Sequence, residues 1–150
     1  MGSRTTAGTG SEVTKVTIIT DTVSDEKMLL MGMAFQPIAA LVDYEITFSK
    51  PFRLTADTGI DSLTHAIEAY VSKKASPFAD SMAISAMRLI YKNIHTACFD
   101  GANKEAREAM MLGATQAGIA FSNDSVCLVH GMSRPIVAHF LLPHGLINDI

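Results

Sequence analysis

The segment GIDSLTH, Gly59–His65, lies where the chain changes from strand-like to helical patterns. Asp61 and His65 are four residues apart, so on a helix their side chains leave the same face, one turn apart. A carboxylate and an imidazole at this spacing can bind one metal ion. The same spacing is common on solvated helix surfaces, where such a pair contributes only about 0.2–0.5 kcal/mol. The segment alone does not distinguish a metal site from a surface pair.

Two further histidines follow near the end of the sequence. His130 lies on a predicted helix, and His144 lies in Leu142–Gly145, where proline and glycine predict a break between apolar segments. Taken singly, each would be an ordinary capping or loop histidine. Taken with Asp61 and His65, they complete a set of three imidazoles and one carboxylate. Such a set suits Fe²⁺ or Zn²⁺, whereas Ca²⁺ and Mg²⁺ prefer oxygen ligands, so the pattern predicts a divalent metal site.

Strand-like patterns precede helical ones along the chain. Dense β-branched or apolar runs predict strands at Val13–Thr20, Met28–Phe35 and Pro37–Asp43, the last of them buried. Helical periodicity predicts helices at about Ser62–Lys73, Pro77–Thr96, Asn103–Phe121 and Ser125–Phe140, with another beginning after His144. Ser76 is the predicted cap of the second helix. The methionines, including Met82, Met87, Met110 and Met111, are predicted to pack helices together. These patterns predict an α+β chain that is mostly helical.

Composition limits the classes of function. The 150 residues are 48% apolar, which suits one domain or a piece of a larger one. The net charge is −3 and no basic run exceeds Lys73–Lys74, so neither nucleic acid nor a membrane is an expected partner. Cys98 and Cys127 form no metal or redox spacing, and no leader or long apolar span is evident, so the expected location is the cytoplasm. Residues 1–4 are expected to be a disordered cloning remainder.

The segment TTAGTGSE, Thr5–Glu12, is rich in glycine and hydroxyl groups. Thr9 and Glu12 have the spacing of a capping box, which predicts a short helical turn. Backbone N–H groups and hydroxyls in such a turn can bind a phosphate. Taken alone, the composition is more typical of a polar linker or an ordinary turn.

Three of these segments, taken in order, carry a resemblance to a known family. Thr5–Glu12, Gly59–Tyr70, and His130–Met132 followed by Pro143–Gly145 resemble successive signatures of the iron-containing (group III) alcohol dehydrogenases. The resemblance extends from Thr5 to Asn148. It implies a central fragment, in which 5–54 end an α/β nucleotide-binding domain and 55–150 begin an all-helical metal-binding domain.

The resemblance also implies ligands and an activity. The metal ligands would be Asp61, His65, His130 and His144, holding Fe²⁺, with Zn²⁺ as the alternative. The loop would help bind NAD or NADP through Thr5, Thr6, Thr9 and Ser11. Lys27 would contact a ribose or phosphate, although its acidic turn also suits a solvent-exposed lysine. The reaction would be oxidation of a small alcohol to an aldehyde or ketone, or the reverse, with the metal polarising the substrate oxygen.

The sequence departs from the family pattern at Arg134, where many members carry a histidine. Arginine stays protonated, so it would pair with a phosphate or a substrate carboxylate, or else lie at the surface. His139 is the alternative proton relay. The isolated chain is expected to be inactive and, because unpaired strand edges favour association, to form a dimer. A non-catalytic metal-binding helical module and a purely structural domain are the alternatives.

Overall fold

A computed structural model describes residues 2–3, 6–24 and 27–133 of the chain. Its centre is formed by three long helices, α1 (Phe52–Tyr70), α2 (Pro77–Phe99) and α3 (Lys104–Asp124), each of which packs against the other two. Residues 128–133 are also helical. With the short strands that precede the helices, the fold is α+β and mostly helical, as predicted. Within the described part, none of the helices combines the length and apolar composition that crossing a membrane requires.

Small residues allow the helices to approach closely. Ala66, Ala86 and Ala117 are fully buried and lie in one core cluster with Ile90 and Met110. Met110 and Met111 are at most 2% exposed, and Met82 and Met87 pack against the cores from their edges. The predicted packing role is therefore confirmed for these four methionines.

The starts of α2 and α3 follow local sequence signals. The Ser76 hydroxyl accepts a hydrogen bond from the Ala79 N–H, and Pro77 occupies the first turn. The Asn103 side chain accepts one from the Ala106 N–H at 3.0 Å. Both helices begin where the sequence predicts, because the cap is a contact between near neighbours.

The first helix is longer at its start than predicted. α1 begins at Phe52 rather than Ser62 and ends at Tyr70 rather than Lys73. Thr55 and Gly59 are weak helix formers, which is why the sequence pattern misses the first turns of α1. In the fold, both residues are buried against neighbouring elements, and tertiary packing overrides their low propensity.

The strands are shorter than predicted. β2 (Val16–Thr20) pairs antiparallel with β3 (Lys27–Met31), in a register that sets Val16 opposite Met31. Val13 and residues 33–35, predicted as strand ends, lie instead in the 3₁₀ turns Ser11–Val13 and Met33–Phe35. Their intrinsic β-propensity is outweighed by local backbone hydrogen bonds such as Val13 N–H to Gly10 O at 3.0 Å.

The third predicted strand is wrong in length and in burial. Only β4 (Ala40–Leu41) forms, and Leu41 is 50% exposed. It pairs in parallel with β1 (Gly2–Ser3), so two residues of the expected cloning remainder are ordered in a strand. Within the described residues this sheet has two strands of two residues each, and so small a sheet buries little apolar surface.

Candidate metal centre

Helix α1 presents Asp61 and His65 on one buried face. Asp61 is 2% exposed and His65 is 5% exposed. Their side chains meet at 3.8 Å, from Asp61 Oδ2 to His65 Nδ1. The predicted placement on one helix face is correct, and the alternative of a solvated surface pair is excluded by the burial.

His130 reaches the same cluster from the helical segment 128–133. Its Nε2 lies 3.4 Å from Asp61 Oδ1, although the two residues are far apart in sequence. The His130 ring stacks on the His65 ring with centroids 4.1 Å apart. The His65 ring also stacks on the ring of Phe121 in α3, with centroids 4.3 Å apart. Three helical elements therefore fix the orientation of both imidazoles.

The donor set fits a transition metal. One ligand atom each from Asp61, His65 and His130 lies within 4.8 Å of the others, and all three residues are buried. Buried carboxylates are costly unless a counter-charge is near. A divalent cation would supply that charge, and two imidazole nitrogens with one carboxylate oxygen are ligands that Fe²⁺ and Zn²⁺ accept.

Glu68, one further turn along α1, was not predicted as a site residue. Its Oε2 lies 2.6 Å from His130 Nδ1, and its Oε1 accepts a hydrogen bond from the Val129 N–H at 2.7 Å. The signal that could have identified it is its spacing, since positions 61, 65 and 68 share one helix face. Nothing in the sequence, however, shows that His130 lies opposite that face.

The carboxylates and the imidazole shift each other's proton affinity. Burial alone would raise the pKa of Glu68, but the hydrogen bond from His130 and those from the Cys127 and Val129 backbone lower it below its usual value. Burial alone would lower the pKa of His130, yet hydrogen bonds to Asp61 and Glu68 raise it above its usual value. Asp61 and Glu68 therefore favour the protonated, positively charged form of His130. A bound divalent cation would supply the positive charge in place of that proton.

The glycine-rich loop is held against the same helices. The Ser62 hydroxyl, adjacent in sequence to Asp61, donates to the Gly8 carbonyl at 2.8 Å. Gly10 adopts φ +67° and lies against Gly118 of α3. Among the predicted cofactor contacts, Thr6 is half-buried while Thr9 and Ser11 are exposed. These three side chains are placed in one loop, and their role in binding a cofactor stays a prediction.

The predicted capping box at Thr9 and Glu12 does not form. The turn Ser11–Val13 follows Gly10, and no side chain caps it. Glu12 is buried instead, and one of its carboxylate oxygens accepts a hydrogen bond from the Thr115 hydroxyl at 3.1 Å. A contact to a helix more than a hundred residues later thus replaces the local one.

Several predicted site residues remain without a structural test. Thr5, Arg134, His139 and His144 lie outside the described residues. Lys27 begins β3, but its side chain is not described. The structure therefore brings together three of the four predicted metal ligands, and the fourth stays a prediction.

Fold and site together define a mostly helical chain with a buried cluster of one carboxylate and two imidazoles, next to a glycine- and hydroxyl-rich loop. Residues 55–150 match the sequence model of a protein family described as "Fe-containing alcohol dehydrogenase family, C-terminal". The chain belongs to this family.

Individual relatives agree with that assignment. The chain is 44% identical over 146 residues to the NAD-dependent methanol dehydrogenase of Bacillus methanolicus, covering 97% of this chain and 38% of the relative. Its structure resembles that of a 1,3-propanediol oxidoreductase with a TM-score of 0.95 and 40% identity, covering 97% of this chain and 38% of that one. A sulfoacetaldehyde reductase from Bifidobacterium kashiwanohense in complex with NAD⁺ gives a TM-score of 0.93 and 39% identity, with coverages of 97% and 39%. The chain thus spans less than two fifths of the length of these relatives.

Proposed function

We propose that this chain carries the metal site and part of the cofactor site of an enzyme that interconverts a small alcohol and an aldehyde or ketone, using NAD or NADP. The observation that supports this most directly is the double role of one turn of α1. Asp61 faces the metal cluster, while the adjacent Ser62 bonds the backbone of the glycine-rich loop at Gly8. One rigid element would therefore set the distance between a metal ion and a bound cofactor.

The metal would be held by Asp61, His65 and His130, with His144 as the fourth ligand. The family name favours Fe²⁺, and the same donor set accepts Zn²⁺. When bound, the metal supplies Lewis acidity toward the substrate oxygen. The protein's own contribution is a buried site, in which Asp61 is fixed and electrostatic interactions are stronger than in water.

The cofactor would lie on the glycine-rich loop. Exposed hydroxyls at Thr9 and Ser11, together with Thr5 and Thr6, suit the pyrophosphate and nicotinamide end of NAD or NADP. Lys27 is proposed as a ribose or phosphate contact. Arg134 and His139 are proposed to act near the substrate, where Arg134 would bind an anionic group and His139 would relay a proton.

The proposed activity is tested in the chain extended by its flanking coding sequence. Loaded anaerobically with Fe²⁺ or Zn²⁺, it is expected to form NADH or NADPH from short primary alcohols, and His65→Ala should abolish this by removing a metal ligand. The isolated chain is expected to bind metal without turnover, because it spans only 38% of the methanol dehydrogenase it resembles. The measurement is nicotinamide absorbance, with His95→Ala, an exposed histidine of α2, as the matched control.

The second candidate is a non-catalytic metal-binding helical module. It predicts that the extended chain binds metal but shows neither NAD(P)H binding nor turnover. A purely structural domain predicts that His65→Ala leaves the metal content unchanged. The burial of all three described ligands around one point disfavours the structural domain.

We also propose that the chain forms a homodimer. The hairpin of β2 and β3 exposes Ile18, Leu29 and Met31 on one face, each 45–63% exposed, in a sheet that has two strands within the described residues. Such a surface favours association. Size-exclusion chromatography with light scattering should give twice the monomer mass, and Ile18→Lys should reduce it. Tyr91→Lys, an exposed position on α2, is the control, and a parent chain that elutes as a clean monomer would contradict the proposal.

A further inference from the structure

The imidazole of His130 lies between two buried carboxylates. Its Nδ1 is 2.6 Å from Glu68 Oε2, and its Nε2 is 3.4 Å from Asp61 Oδ1. A neutral imidazole has one N–H and one lone pair. The shorter contact is that of a charge-assisted hydrogen bond, whereas the longer one exceeds the usual range of about 2.7–3.2 Å. The geometry therefore assigns the proton of neutral His130 to Nδ1.

This assignment leaves the Nε2 lone pair directed toward the Asp61 carboxylate. In this neutral tautomer Nε2 and the Asp61 carboxylate are both acceptors, so they repel unless a proton or a cation is shared between them. His130 and Asp61 would both serve as ligands of a divalent cation, which would remove this repulsion. The lone pair of His130 is therefore oriented for metal binding by the hydrogen bond on the opposite side of the ring.

Glu68 also holds the backbone that carries His130. Its Oε1 accepts from the Val129 N–H at 2.7 Å, and the Cys127 thiol donates to the Glu68 carbonyl oxygen at 3.2 Å. Glu68 is itself only 4% exposed, so it has little freedom to adopt another rotamer. One residue of α1 thus fixes both the segment that carries the imidazole and the direction of its ring.

We propose that Glu68 is a positioning residue of the metal centre, whose carboxylate holds His130 with Nδ1 protonated and so presents Nε2 to the metal. The inference rests on the proposed metal site. It adds a residue that is not among the predicted ligands and acts through His130.

The first test replaces Glu68 with glutamine in the full chain. Glu68→Gln keeps the shape and can still accept from Val129, but it removes the charge. Its amide can also donate to Nδ1, which stabilises the opposite tautomer. The affinity for Zn²⁺, measured by competition with a chromophoric chelator, is expected to fall about 10–100-fold. Glu108→Gln, an exposed position on α3, is the matched control and should leave the affinity unchanged.

A second measurement begins on the parent chain, and that part does not depend on the folding of the variant. Long-range proton–nitrogen NMR spectra of the zinc-loaded parent, labelled at histidine nitrogen, identify which His130 nitrogen binds the metal. The expected result is zinc on Nε2 and a downfield proton on Nδ1, which would move upfield in Glu68→Gln. If Glu68 served only to hold the backbone of residues 128–133, the Nδ1 proton resonance would be the same in the parent and in Glu68→Gln.

The outcomes separate the two hypotheses. Zinc on Nδ1 of His130, or equal zinc affinity in the parent and Glu68→Gln, would overturn the role of Glu68 and leave the metal site in place. A parent chain that binds no zinc would overturn the metal site, and the role of Glu68 with it.

Discussion

Asp61→Asn is expected to lower the affinity of the chain for Fe²⁺ or Zn²⁺ by at least about 100-fold, because the loss of a direct ligand should exceed the usual loss for an outer hydrogen-bond partner. Asp61 is the only carboxylate among the three clustered ligands that the structure describes. Asparagine keeps its size but removes the negative charge that offsets the cation in a buried site. The substitution should therefore act on metal binding more than on packing.

The measurement is elemental analysis of protein purified anaerobically with iron or zinc supplied, followed by chelator competition. Asp57→Asn is the matched control, since Asp57 lies on the same helix and loses only its ion pair with Arg53, an interaction that contributes about 0.2–1 kcal/mol at most. His144→Ala tests the fourth ligand in the same assay and should also lower the metal content. Equal metal content in the parent and Asp61→Asn would rule out the proposed centre.

Gly118→Val is expected to lower the free energy of unfolding by about 2–4 kcal/mol, since overpacking of a buried contact alone costs about 1–3 kcal/mol. A Cβ at this position would lie 2.8 Å from the Gly10 Cα and 2.9 Å from the Gly10 carbonyl oxygen. These are backbone atoms, which cannot rotate away as a side chain can. Gly10 in turn has φ +67°, so the loop has little freedom to move without strain.

The same substitution at Gly131 provides the control. Gly131 also lies in a helical segment, but a Cβ there would meet no atom of the described residues within 4 Å, so Gly131→Val should change stability by less than about 0.5 kcal/mol. Valine and glycine both have low helix propensity, so the difference between the two variants reports packing. Urea denaturation followed by circular dichroism measures both. Similar stabilities would show that the loop does not depend on its contact with α3.

The predictable parts of the fold are those determined by near neighbours. The caps at Ser76 and Asn103 are formed between residues three apart, and both helices begin where those residues predict. The first turns of α1 escape prediction because Gly59 is favourable there only once it is buried against Met110 and Ile94. The predicted capping box does not form, because the Glu12 carboxylate accepts a hydrogen bond from Thr115 of α3 rather than from a group in its own turn.

The candidate site likewise combines features that local sequence determines with features that depend on tertiary packing. The sequence by itself determined that Asp61 and His65 share a helix face, because helical periodicity places residues four apart one above the other. It also predicted the ligand chemistry, and through the resemblance it identified the family. Only the tertiary structure decided that this face is buried, that His130 stacks on His65, and that Glu68 holds His130 from across 62 positions of sequence. Contacts at that separation depend on how helices pack, which no local pattern of residues specifies.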